Sequence, residues 1–282
     1  MISSMSTAEL LDNTFLLPGG LVLEEGRCLR TAVLRPLTGD EEEWLAEHPR
    51  TPTALAVTHI LSACLVRLDD VAVTKNLVRQ LLVGDRDYLV LQLRRLTLGD
   101  DFQAVSACPA CDAKMDVTLK GSEIPVECHV QQAANSSIHL ADPQPSGRTV
   151  SFRLPRGGDQ EAALGMADDP VQAILERCIV DDGGNHLSPA EREAVIEAME
   201  QMAPEVEVEL DLSCPECGKT FVVHFDTTAF FFDEIRISAK QLLREVHALA
   251  FYYHWSEAEI LRLRRDRRRA YLGLLNETAR QD

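Results

Sequence analysis

The sequence predicts an α+β fold in which a strand–helix–Cys-turn–strand unit occurs twice and a helical hairpin follows. Three observations predict it. Similar blocks recur in one order along the chain, strand-like segments flank two Cys-Pro-x-Cys turns, and capping boxes open helices late in the sequence.

The recurrence begins with RTAVLRPLTGDEEEWL (30–45) and RTVSFRLPRGGDQEAAL (148–164). With one inserted glycine, the Arg-Thr start, Arg35 and Arg153, the Gly-Asp pair and the final leucine correspond. ACLVRLDD (63–70) then echoes RCIVDDG (177–183), aligning Cys64 with Cys178. CPACDAKMDVTLK (108–120) likewise matches CPECGKTFVVHFD (214–226). The three blocks keep their order, at offsets that shrink from 118 to 114 to 106 residues.

Each copy reads the same way. A strand (31–37; 148–154) precedes a helix opened by acids (40–47; 159–165), where carboxylates suit the positive end of the helix dipole. Longer helices are expected over 52–67 and 85–97 in the first copy, and over 169–180 and 189–202 in the second. Ser188-Pro189-Ala190-Glu191 is a capping box with proline at the first helical position. Strand, Cys turn and strand close each copy (102–119; 205–225). The segment 121–147, rich in Pro, Ser, Gln and Asn, reads as a loose connection. Residues 227–253 carry Leu242, Leu243, Val246, Leu249, Ala250 and Tyr253 at the spacing of one buried helix face. A capping box at Ser256–Glu259 starts a last helix reaching about Glu277. The expected organisation is therefore 1–120, a linker 121–147, 148–226, and a hairpin 227–282.

The two Cys turns carry the chemistry. A Cys-x-x-Cys turn between strands holds two sulfurs on one side of a tight loop, and Gly218 supplies unhindered backbone just after the second turn. Cys108, Cys111, Cys214 and Cys217 together offer four thiolates, the closed tetrahedral set of a structural zinc ion, one per chain. The 102 residues between the pairs are bridged if the two copies meet about a pseudo-twofold axis with the metal on it. A redox pair remains an alternative, although such pairs sit at helix N-termini and strand-like sequence follows both turns here. A third reading has each pair recruit local ligands such as Cys128 and His129, or His224. Cys64 and Cys178 lie in apolar helical runs and read as small core residues; Cys28 and Cys128 have no partner at ligand spacing. His247 and His254, seven apart, read as packing residues.

Composition narrows the function. At 282 residues, 45% apolar and 26% charged, the chain is of globular type. No apolar run approaches a membrane span, and the N-terminal MISSMSTAELLDN lacks the positive charge of a secretory signal. A reducing, cytoplasmic setting is expected, with the eight cysteines as thiols or metal ligands. The net charge of −17 and an aromatic content of 5% disfavour nucleic acid as a partner. No P-loop, nucleophile elbow, HExxH or dinucleotide-binding motif occurs, and four cysteines leave no open metal position, so an enzyme is not expected.

The exception to the acidic surface is the run RLRRDRRR (262–269). On one continuous helix its arginines ring the axis, and Arg267 interrupts the apolar stripe of Ile260, Leu263, Tyr271 and Leu274. The run reads either as a solvated charged turn or as a docking element for an acidic partner. In the second reading Arg262, Arg264, Arg265, Arg268 and Arg269 steer the partner, with Tyr271 and Leu275 as apolar anchors.

GDRDYLVLQLRRLTLGD (84–100) leading into CPAC, LLREVHALAFYYHWSEAEILRLRRDRRRAYLGLL (242–275) and LTGDEEEWLA (37–46) resemble the T-even-type bacteriophage baseplate protein family, found in phage tails and contractile injection systems. The junction His254-Trp255-Ser256-Glu257 is the most distinctive part. The resemblance implies a role in building or forming the baseplate hub through contacts with baseplate, hub or spike proteins. It implies no membrane partner, and a bacterial cytoplasmic protein that can enter the tail particle. The zinc site rests on spacing and recurrence, outside that resemblance. A zinc-ribbon nucleic-acid binder using the basic helix is the second function class.

Overall fold

The computed structural model describes residues 13–131, 135–140, 148–165, 169–180, 187–206, 208–237 and 239–278. It is a mixed fold of helices and small sheets, and the chain forms two compact units interleaved in sequence. One unit draws on Met1–Val33, Pro52–Leu89 and Val126–Val206, and the other on Leu34–Thr51, Val90–Pro125 and Glu207–Asp282.

In the first unit, β1 (Thr14–Val22) pairs antiparallel with β2 (Cys28–Leu34), and β3 (Leu65–Leu68) lies on the other side of β2. The β1–β2 register shifts between Leu16 and Leu21, where Pro18-Gly19-Gly20 interrupts the strand. The amides freed there are not wasted: Gly19 and Gly20 donate to the buried carboxylate of Asp85 at 2.8 and 2.9 Å. Asp85 stands at the start of α4 (Val83–Leu98), which comes after α2 (Thr53–Cys64) and the short α3 (Lys75–Gln80). Among the described residues, α5 (Gly157–Ala163), α6 (Pro170–Cys178) and α7 (Pro189–Met202) are the further helices of this unit. Ser188 caps α7 as its capping box requires. Leu82, Phe152, Leu154, Leu175, Cys178, Val195 and Met199 form its core, and Cys64 is also fully buried.

The connection expected to be loose contributes two strands. β6 (Val126–Glu127) pairs with β9 (Glu205–Val206), and β7 (Ser136–Leu140) pairs with β8 (Arg148–Phe152). Its composition, rich in Pro, Ser, Gln and Asn, hid them because it offers no sustained apolar alternation to read.

The second unit holds α1 (Gly39–Glu47), the hairpin of β4 (Asp101–Ala107) and β5 (Lys114–Lys120), and the hairpin of β10 (Glu209–Ser213) and β11 (Thr220–His224). It ends with α8 (Thr227–Ile237), α9 (Ala239–Tyr253), α10 (Glu257–Leu261) and α11 (Arg265–Thr278). Phe102, Phe225 and Phe230 meet in edge-on and tilted contacts, with the Arg94 guanidinium 3.8 Å from the Phe102 centroid and paired with Glu234 at 2.9 Å. Leu242, Val246, Leu249, Ile260 and Leu261 form the core of the helical hairpin.

One local arrangement occurs once in each unit. In the first, Arg153 clasps Asp159 at 2.6 Å, the Arg156 amide donates to the same carboxylate at 3.0 Å, and Gly157 N donates to Leu81 O at 3.0 Å. A bridge joins Arg156 to Leu82, and four residues on, the buried Arg86 donates to Ala54 O and Thr58 Oγ1 at 2.7 and 2.9 Å. A β-carbon at Gly157 would fall 1.2 Å from Arg86 Nη1, so only glycine lets this guanidinium pass. In the second unit, Arg35 clasps Glu41 at 2.7 Å, the Thr38 amide donates to Glu41 at 2.8 Å, and Gly39 N donates to Leu263 O at 3.3 Å. A bridge joins Thr38 to Arg264, and four residues on, Arg268 is buried. Glu41 thus occupies the place of Asp159 with no inserted glycine, correcting the alignment suggested by the Gly-Asp pairs.

Candidate metal centre and docking hairpin

The β4–β5 and β10–β11 hairpins have the same tip. Cys108 N donates to Ala113 O and Asp112 N to Cys108 O; Cys214 N donates to Lys219 O and Gly218 N to Cys214 O, all at 2.9 Å. The residue after each second cysteine has a left-handed backbone, Asp112 at φ 56° and Gly218 at φ 71°. This turn folds the two thiols of each pair to one side of the loop.

The four sulfurs converge. Cys108 Sγ lies 3.7 Å from Cys217 Sγ, Cys111 Sγ lies 3.7 Å from Cys214 Sγ, and all four are within 4.8 Å of one another. A disulfide would need roughly 2.05 Å. Thiolates tetrahedral about zinc, with Zn–S of about 2.3 Å, stand roughly 3.8 Å apart. The spacing is therefore compatible with a shared metal ion and excludes a bonded pair. Cys108 and Cys214 are buried and Cys111 and Cys217 are exposed, so one thiol of each pair faces the protein. The Ala110 amide, 3.4 Å from Cys108 Sγ, and after it the Cys111 amide and the neighbouring thiols lower Cys108 to about 7, while the same neighbours push Cys111 up to about 12, so Cys108 gives up its proton before Cys111 does. His224 and His129 contact Glu209 and Glu127 instead, and neither they nor Cys128 join the thiol cluster.

The basic run is placed differently from expectation. The last helix breaks at Arg262–Arg264, where Gly39 N takes Leu263 O and the bridge to Thr38 forms. Arg268, expected on a docking surface, is 0% exposed: Nη2 meets Glu42 at 2.9 Å, Nε meets Glu245 at 3.0 Å, and Nη1 meets Leu263 O at 2.8 Å. Arg265 is buried as well. An arginine ring can enter a core after all when two carboxylates from α1 and α9 receive it. Arg264 is half-buried beside Asp266 at 3.6 Å, while Arg262 and Arg269 are exposed. Tyr271 packs edge-on against Trp255 and Tyr253, and Leu275 packs on the hairpin core, so both anchors are partly committed within the chain. Nothing in residues 262–269 alone signals this, because Glu42 lies 226 residues from Arg268.

A family model described as T4 bacteriophage base plate protein matches residues 25–233. The chain belongs to that family, and its role is structural, in a phage baseplate. Among curated proteins and among solved structures, comparison gives no match. No described helix is long and apolar enough to cross a membrane.

Proposed function

We propose that the protein is a non-enzymatic assembly factor or adaptor of a contractile-tail baseplate, working through contacts with other baseplate, hub or spike proteins. The observation that carries this reading is the family match over residues 25–233. A single zinc ion per chain, held by Cys108, Cys111, Cys214 and Cys217, locks the two hairpin tips together. Four sulfurs at zinc-thiolate spacing support zinc, and a four-cysteine set leaves no position for a reacting water. The nucleic-acid alternative would use the basic helix, but Arg268 is spent on two glutamates and the chain carries −17.

We also infer that the chain carries one docking arrangement twice. The Arg-clasped segment 35–41 docks on 256–272, within the C-terminal hairpin, and segment 153–159 docks on 74–90. Supporting this are the paired bridges, the paired glycine amides, the capping hydroxyls Thr74 and Ser256, and the buried Arg86 and Arg268, each twelve residues after its cap.

The function is tested by deleting the gene in cells that produce the particle. The expected result is tube and sheath proteins made in normal amount with no complete baseplates by electron microscopy, and rescue by the wild-type gene. Normal particles from the deletion strain would overturn the assembly role.

A further inference from the structure

The hairpin of the second unit carries a surface that its own packing does not use. α9 buries Leu242, Val246 and Leu249 at 8% exposure or less, yet on its other side Leu243 is 63%, Phe251 66% and Tyr252 60% exposed. Leu243, His247 and Phe251 succeed one another at four-residue steps, forming one outward stripe. The His247 and Phe251 rings stack, and Tyr252 meets Phe251 edge-on, so the stripe is a preformed aromatic ridge. Three large apolar side chains at this exposure on one helix form a patch, not the scattered single residues every surface carries.

Its charge is equally distinct. The only carboxylate of α9 is Glu245, which is buried against Arg268. The ionisable groups that α9 shows to solvent beside the apolar ridge include Arg244 and His247. The outward face of α9 therefore pairs its apolar ridge with the exposed cation Arg244 and no exposed carboxylate, within a chain of net charge −17. Water alone gives no reason to keep Leu243, Phe251 and Tyr252 exposed, and the absence of exposed carboxylates on α9 removes the repulsion an acidic partner would meet elsewhere.

We propose that the outward face of α9, formed by Leu243, Arg244, His247, Phe251 and Tyr252, is the docking surface for an acidic, apolar-bearing segment of another baseplate protein. Phe251, Tyr252 and Leu243 anchor that segment, and Arg244 orients it. This rests on the baseplate role proposed above, and it moves the docking surface from the arginines of α11 to the opposite face of the hairpin's first helix.

The test uses the full-length chain in particle-producing cells, with a photo-crosslinking amino acid at Phe251 or Tyr252. The expected result is an adduct with one other tail protein, mapped by mass spectrometry to a segment of net negative charge. Adduct yield should fall as salt is raised. The double variant Leu243→Asp with Phe251→Asp, bearing the crosslinker at Tyr252, should lose about thirtyfold in adduct yield, the size of one anchor residue. Its metal content and unfolding midpoint should stay at wild-type values, because all three residues lie outside the core. Adducts to a second copy of this chain, to a basic segment or to nucleic acid overturn the proposal, as does an undiminished yield from the double variant. If deletion of the gene blocks assembly but the double variant assembles normally, the docking face is wrong and the baseplate role stands. If deletion has no effect, the baseplate role itself fails.

Discussion

Arg268 shows how one side chain can be read wrongly from its neighbours and rightly from its partners. Flanked by Arg267 and Arg269, it is nonetheless fully buried between Glu42 and Glu245. Arg268→Met leaves two buried carboxylates facing each other and should cost about 3–5 kcal/mol, read as a shift in denaturant midpoint. Adding Glu42→Gln and Glu245→Leu should restore most of that loss. Asp85 is a second buried charge with a different signature. Burial pushes it up to about 6 despite the amides of Gly19 and Gly20. A folded-state value above the unfolded one, 3.8, means the native protein holds the proton more tightly. This group therefore favours the fold increasingly as pH falls from about 6 toward 4, and the benefit is lost as pH rises through 6. The stability difference between wild type and Asp85→Asn should change across that window and flatten above it. A flat difference from pH 4 to 7 would show that Asp85 is already ionised throughout.

At the scale of elements, the two Cys turns invite a direct comparison. Asp112 and Gly218 hold equivalent left-handed positions, one with a β-carbon and one without. Gly218→Ala should cost about 1 kcal/mol, while Asp112→Gly should be neutral or slightly stabilising. Zinc analysis on both variants should still return one ion per chain, whereas Cys214→Ser should lose it and lower the unfolding midpoint. These turns were legible in the sequence because their chemistry is local: four residues, two thiols and a strand directly after them. The capped helices at Ser188 and Ser256 were legible for the same reason. β1 was not, since Pro18-Gly19-Gly20 breaks its alternation and the amides it frees are met by Asp85, 65 residues away. The break in the last helix was hidden too, because it is made by Thr38 and Gly39 and by nothing in 256–278.

For the whole molecule, the interleaving of the units governs when each can be finished. The first unit has its last segment once Val206 has been made, whereas the second needs the C-terminal helices. Its earliest helix, α1, waits for Arg268, which lies 226 residues beyond Glu42. At the usual pace of synthesis, about 5–20 residues per second, that wait is roughly 10–45 seconds. Cys111 waits likewise for Cys214, 103 residues later. On the ribosome the order of closure is therefore written into the chain: Cys111 stays unpaired until Cys214 has been made, and Glu42 stays hydrated until Arg268 has. A nascent chain stalled before Arg268 would hold one finished unit and one open one, with Glu42 and Glu245 left without their shared arginine.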